Sequence, residues 1–203
     1  MDGRSRNAGA VASLRGFKSP VTAARLVMEE TRHVLIVGKG AAMIAREHKL
    51  ERVHKPKKYY KPAVNIPVKK GELSHGTVGA IALDTKGRLA AATSTGGLLG
   101  KTPGRVGDTP IIGAGIWADE RVAVCCTGQG EYFLRTNAAA DVSSRVRYGK
   151  QNLKTASDGA LQDLNLLGGD GGMICMDVLG HVEMPFNAET MKRGVVTSAG
   201  RFE

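Results

Sequence analysis

Four short stretches hold the residue types that could do chemistry. In "SHGTVGAIALD", from Ser74 to Asp84, a Gly-Thr pair stands at the front of a strand-like run, straight after a polar, lysine-rich stretch. An ordinary threonine hydroxyl is a poor nucleophile and needs a base beside it. Cleavage between Gly76 and Thr77 would supply one: the freed α-amino group, whose pKa is about 7.7 to 8, can take the proton from the hydroxyl of its own residue. Gly76 gives the backbone freedom that such a cut needs, and a flexible segment before it can move away afterwards. The same Gly-Thr pair also suits a plain strand entry with no chemistry.

"TSTGG" places Thr93, Ser94 and Thr95 at the end of a second strand, where Thr95 could bond the Thr77 hydroxyl across a hairpin. Ordinary β-branched strand filling accounts for these residues equally well. In "GRVGD", Arg105 offers a planar fork for a carboxylate and Asp108 an acceptor for an ammonium, so the pair suits an α-amino acid. A surface ion pair is the alternative. "CTGQGE" sets Thr127, Gly128 and Gly130 in a turn that can expose a hydroxyl and backbone N–H groups to an oxyanion. A tight strand-to-helix connection would use the same glycines.

These residues need elements to hold them. Ser19-Pro20 opens a helix over "SPVTAARLVMEET", "HVLIVG" reads as a strand and "GAAMIAREHK" as a second helix. Residues from about 51 to 75 form a Pro- and Lys-rich tether, without helical or strand periodicity from His54 to Ser74. "TVGAIALD" and "RLAAATST" flank a Thr85-Lys86-Gly87 turn and predict a β-hairpin of mostly buried strands. "GAGIWA" and "RVAVCCT" form a second strand pair, "EYFLRTNAAADVSSRVRYG" one helix, and Leu153 to Leu164 another. "LGGDGGMICMD" and "HVEMPFN" lead into two more strands. The pattern predicts one α+β domain over 1–203, layered on antiparallel sheet.

Composition narrows the partners. The net charge is +10 with pI about 9.7, but much of the excess sits in the tether, where a solvated linker explains it. A nucleic-acid surface would have to rest on Lys57, Lys58, Lys69 and Lys70 with Tyr59 and Tyr60, which is thin support, and none is assigned. Cys125, Cys126 and Cys175 are odd in number, and the adjacent pair on one strand points to opposite faces; buried, reduced thiols are expected. No Cys/His spacing suggests zinc, so no metal and no cofactor is assigned. No apolar run is long enough to span a bilayer and no cleavable leader is visible, so no membrane is assigned and a cytoplasmic location is expected.

Read in order, "HGTVGAIALD", "TSTGG", "GRVGDTPIIGAG" and "CTGQGE" closely resemble the plant-type L-asparaginase and isoaspartyl peptidase family, within the N-terminal nucleophile hydrolases. The resemblance runs from about Met1 to Phe202 and takes in "SPVTAARLVMEET", "LGGDGGMICMD" and "MPFN". It implies a four-layer αββα sandwich, self-cleavage between Gly76 and Thr77 into an α part (1–76) and a β part (77–203), and a dimer of αβ units. Thr77 would be the nucleophile and Thr95 its assistant. Arg105 would bind the substrate α-carboxylate, Asp108 its α-ammonium, Thr127 and Gly128 the oxyanion, and Gly130 would line the pocket. The implied reaction is hydrolysis of β-aspartyl (isoaspartyl) peptides and L-asparagine to aspartate. Relatives acting on glycosylated asparagine begin their mature chain "TIG" after Asp, so "GTVGA" favours the peptidase branch.

The resemblance also carries a departure. Family members have an earlier strand with an "HGG" motif, a helix after it and an "NAG" loop that holds a sodium ion, whereas the match here begins at "MDGRSRNAGA". The expected sandwich therefore lacks its first strand and helix. The alternative function is a catalytically inactive, uncleaved relative or fragment acting as a binding protein.

Overall fold

The computed structural model describes residues 1–60 and 76–202, so most of the expected tether, 61–75, lies outside the described residues. The chain is α+β. In the N-terminal part, β1 (Ala10–Ala12) pairs in parallel with β2 (Leu35–Val37) across the helix α1 (Pro20–Glu30). Ser19 caps α1, its Oγ accepting from the Thr22 amide at 3.4 Å, and Pro20 sits where its missing N–H costs nothing. The helix α2 (Gly38–Glu47) lays Ala42 and Ala45 against Ala23 and Phe17, a small core of short side chains that lets the two helices approach closely. A short helix α3 (Pro56–Tyr59) interrupts the stretch expected to lack helical structure; Pro56 starts it with a preset φ.

The centre consists of two facing sheets. Strands β3 (Thr77–Leu83) and β4 (Leu89–Thr95) form the expected hairpin, in register from Thr77↔Thr95 to Leu83↔Leu89. Asp84 fixes its turn by accepting from the Lys86 and Arg88 amides, both at 2.9 Å, and from Arg88 Nε at 2.6 Å. Residues 1–3 run along the outer edge of β4, Met1 exchanging backbone hydrogen bonds with Ala91. The second sheet is antiparallel, in the order β5 (Ile116–Ala118), β6 (Val122–Gly128), β7 (Gly171–Asp177), β8 (Val182–Glu183).

One face of this sheet meets the hairpin through Ala123 and Cys125, with Leu89 and Ala91 opposite. Its other face packs Val122, Val124 and Cys126 against Phe133, Val142 and Leu164 of the helices α4 (Gly130–Thr136), α5 (Ala138–Arg147) and α6 (Leu153–Leu166). The two neighbouring cysteines thus enter different cores, and all three thiols are free and buried, as their positions predict. Between β5 and β6, buried Asp119 accepts from Trp117 Nε1 at 2.9 Å, the amides of Arg121 and Val122, and Ser143 Oγ of α5. Burial raises its carboxyl pKa, but these donors outweigh that and hold it below the usual carboxylate value. No helix among the described residues is long and apolar enough to cross a membrane.

The structure corrects the sequence reading in several places. The hairpin is not mostly buried: only one face of β3 packs, and Val78, Ala80 and Ala82 on the other are exposed. Small residues on both faces give β3 no polar alternation from which the open side could be read. The single helix expected from Glu131 onward breaks at Asn137, whose left-handed backbone (φ 51°) ends α4 and starts α5. "HVEMPFN" yields only the two-residue β8, with Phe186 bridging to Gly172 farther on. The terminal hairpin of β9 (Val195–Thr197) and β10 (Gly200–Phe202) has no counterpart in the sequence reading.

Candidate active site

The site lies at one end of the space between the two sheets. Strand alternation turns Thr77, Gly79 and their cross-strand partners Thr95 and Thr93 toward β6. Gly79 is required for the approach, because a Cβ there would stand 2.8 Å from Cys125 Cβ. Cys125 Sγ reaches the Ala80 and Ala92 carbonyls at 3.6 Å, which sets β6 firmly against the hairpin. Two residues beyond Cys125, on the same face of β6, comes Thr127.

Thr95 lies directly opposite Thr77, but its hydroxyl does not bond the Thr77 hydroxyl as expected. It donates to the Gly76 carbonyl oxygen at 2.8 Å and accepts from the Gly97 amide at 2.9 Å. The group that Thr95 polarises is thus the carbonyl of the peptide bond before Thr77. Among the described residues the hydroxyls of Thr77 and Thr127 make no hydrogen bond and remain free for another partner.

The loop before β5 brings the charged pair in. Thr93 Oγ1 donates to the Thr109 carbonyl at 3.2 Å, tying that loop to the hairpin, and Cys126 N donates to the Gly115 carbonyl at 2.9 Å, tying it to β6. Asp108 is 5% exposed and its Oδ2, like Thr109 Oγ1, is buried without a partner among the described residues. Burial pushes the Asp108 carboxyl up to about 6; its own and the Thr109 amide and the Arg105 charge pull the other way, and Glu131 adds to the rise.

Gly130 separates Asp108 from Arg105. A Cβ on Gly130 would stand 2.6 Å from Asp108 Oδ1 and 3.0 Å from Arg105 Nη2. The anionic and cationic groups therefore both pack directly on Gly130, a contact that only a residue without a side chain permits. One anionic and one cationic side chain thus stand side by side at the same glycine. Gly128 is constrained from the other side: φ is 143°, and a Cβ would lie 2.5 Å from the Asp170 carbonyl oxygen and from Gly171 Cα.

The structure thus sets Thr77, Thr95 and Gly76 together, and Arg105, Asp108 and Gly130 together, with Thr127 and Gly128 at the end of the strand between. Sequence reasoning missed Glu131, which takes Arg105 Nε and Nη2 with its two oxygens at 2.8 and 2.9 Å. The signal was available, since Glu131 is the last residue of the quoted "CTGQGE".

Known proteins resemble this chain over most of its length. The asparaginase family model matches residues 1–66 and 54–203. The chain is 45% identical to an isoaspartyl peptidase of Escherichia coli, over 95% of this chain and 66% of that protein. It is 44% identical to the isoaspartyl peptidase of Salmonella typhimurium, over 95% of this chain and 67% of the relative. Against a plant-type L-asparaginase of Pyrococcus horikoshii the identity is 38%, over 94% and 69%. The chain thus spans about two thirds of the length of these relatives. With the family model covering most of its residues, the chain belongs to the asparaginase family that includes the isoaspartyl peptidases and plant-type L-asparaginases.

Proposed function

We propose that this chain is a self-processing threonine amidohydrolase that releases aspartate from β-aspartyl (isoaspartyl) peptides and L-asparagine, the activities named for its relatives. The observation that carries the reading is the pairing of Asp108 Oδ1 and Arg105 Nη2 side by side against Gly130, next to the strand that bears Thr127. Both substrates present a free α-ammonium and α-carboxylate and differ only in the amine beyond the β-carbonyl. A site that grips the shared end accepts both.

In the uncut chain, Thr77 Oγ1 attacks the Gly76 carbonyl carbon. Thr95 Oγ1, 2.8 Å from that carbonyl oxygen, stabilises the charge that develops there. The acyl group passes from the Thr77 nitrogen to its oxygen, and water hydrolyses the ester, leaving residues 1–76 and a β part that begins at Thr77. The freed amine then accepts the hydroxyl proton as Thr77 attacks the substrate β-carbonyl, and the leaving amine departs with a proton. Thr127 and Gly128 hold the oxyanion, and water releases aspartate from the ester. Arg105 and Asp108 hold the α-carboxylate and α-ammonium throughout. In the same reading the layers belong to the αββα sandwich of N-terminal nucleophile hydrolases without its first strand and helix, and the cut product is a cytoplasmic dimer of αβ units acting on small molecules without a cofactor.

Denaturing electrophoresis and mass spectrometry of purified protein provide the test, coupled to an aspartate-release assay on a β-aspartyl dipeptide and on asparagine. Two fragments divided before Thr77, absent in Thr77→Ala, together with aspartate release from the cut form, are expected. A chain that stays whole on prolonged incubation and releases no aspartate would overturn the reading.

A further inference from the structure

Arg105 is held by a residue outside the recognised substrate contacts. Its side chain is 16% exposed, and both edge donors are committed: Nε to Glu131 Oε1 at 2.8 Å and Nη2 to Glu131 Oε2 at 2.9 Å, a paired carboxylate fork. Two N–H groups on Nη1 and one on Nη2 stay uncommitted among the described residues, and Nη2 is the atom that lies against Gly130, beside Asp108. Gly107 leaves room for this pose, since a Cβ there would stand 2.7 Å from Nη1. Glu131 follows Gly130 directly, so the residue on which both charges pack and the residue that orients the cation are fixed to the same backbone.

We infer that Glu131 is a positioning residue: it pins the Nε–Nη2 edge of Arg105 so that the terminal N–H groups stay at Gly130, beside Asp108, and thereby sets the preference for substrates with a free α-carboxylate. This rests on the proposed amidohydrolase reading. A guanidinium presents a planar fork, and its discrimination between a carboxylate and a neutral amide depends on being held in plane with the ligand. Released from Glu131, the long Arg105 side chain regains rotamer freedom, and the carboxylate must order it at each binding event. Glu131 has a side chain that is 52% exposed, so a glutamine there keeps an acceptor for Arg105 and buries no new polar group of its own.

The experiment compares wild type, Glu131→Gln and Glu131→Asp on two β-aspartyl leucine substrates, one with the aspartyl α-carboxylate free and one with it converted to the α-carboxamide. Thermal unfolding and the extent of self-cleavage are followed alongside. For Glu131→Gln, KM for the free-carboxylate substrate should rise on the order of tenfold, with kcat within about twofold. The carboxylate-over-carboxamide ratio in kcat/KM should fall by a similar factor, while cleavage and unfolding stay as in wild type. Glu131→Asp, which keeps the charge, should recover part of the ratio. A general loosening of the site would lower both substrates together. An unchanged ratio, or a lower KM in Glu131→Gln, overturns the assignment. Binding of L-aspartate, measured by calorimetry, needs no turnover and keeps the two failures apart: a wild type that binds aspartate tightly and Glu131→Gln that binds it equally well defeats the Glu131 role alone, whereas a wild type that neither binds nor hydrolyses defeats the underlying reading and the inference with it.

Discussion

Replacing Asp108 by Asn should stabilise the fold while abolishing substrate binding, and the effect should depend on pH in a defined direction. The Asp108 carboxyl titrates at about 6 in the folded chain against a reference of 3.8, mainly because it is buried. Below the reference value it is protonated in both folded and unfolded chains, and burial imposes no ionic penalty. As pH rises through the folded value, the buried carboxylate must ionise, and the stability present in acid is lost. About two pKa units at roughly 1.4 kcal/mol each correspond to about 3 kcal/mol. Asparagine is nearly isosteric and never ionises. The stability difference between Asp108→Asn and wild type should therefore be below about 1 kcal/mol near pH 4 and approach about 3 kcal/mol near pH 8. In a chain of this size that is a rise in Tm of roughly 6 to 12 °C at the higher pH. Thermal unfolding of both proteins across that range reads it directly, and subtracting the two curves removes every other titrating group. A difference that is flat with pH, or that favours wild type in alkali, would refute the burial argument.

Gly130→Ala places a methyl 2.6 Å from Asp108 Oδ1 and should raise KM for β-aspartyl dipeptides on the order of a hundredfold while lowering Tm, checked by steady-state kinetics and thermal unfolding. Gly79→Val forces a branched side chain against Cys125 and should cost about 1 to 3 kcal/mol in chemical denaturation. Asp119→Ala strands the Trp117 indole, the Ser143 hydroxyl and two amides in the interior, and its denaturation midpoint should fall by an equivalent of roughly 3 kcal/mol or more. For the cut enzyme, kcat/KM should climb through about pH 6 as Asp108 ionises to take the substrate ammonium, read from a steady-state pH profile; a profile flat across that range would count against the role.

How far the sequence could be read depended on what each residue faces. The hairpin was legible because Thr85-Lys86-Gly87 marks its turn and both flanks are β-rich, yet its open side was not, since Gly79, Ala80 and Ala82 carry no polar alternation. Ser19 announces a helix start that a local side-chain hydrogen bond enforces. Asn137 gives no comparable warning: alanines follow it, and its left-handed turn serves the packing of Ala138 and Ala139 against the sheet. Arg105 and Asp108 were identifiable by charge and glycine context. That Thr95 addresses the Gly76 carbonyl, and that Glu131 holds Arg105, are matters of distance across the fold, which no spacing along the chain encodes.

The register of the central hairpin bears on activation. Every residue of β3, from Thr77 itself, keeps a partner on β4, and residues 1–3 fasten β4 along its far edge. A break in the backbone just upstream of that strand subtracts a covalent link without loosening the strand. On the proposed reading the newborn amine would inherit a seat that was built before it existed, so maturation would need a departure rather than a rearrangement.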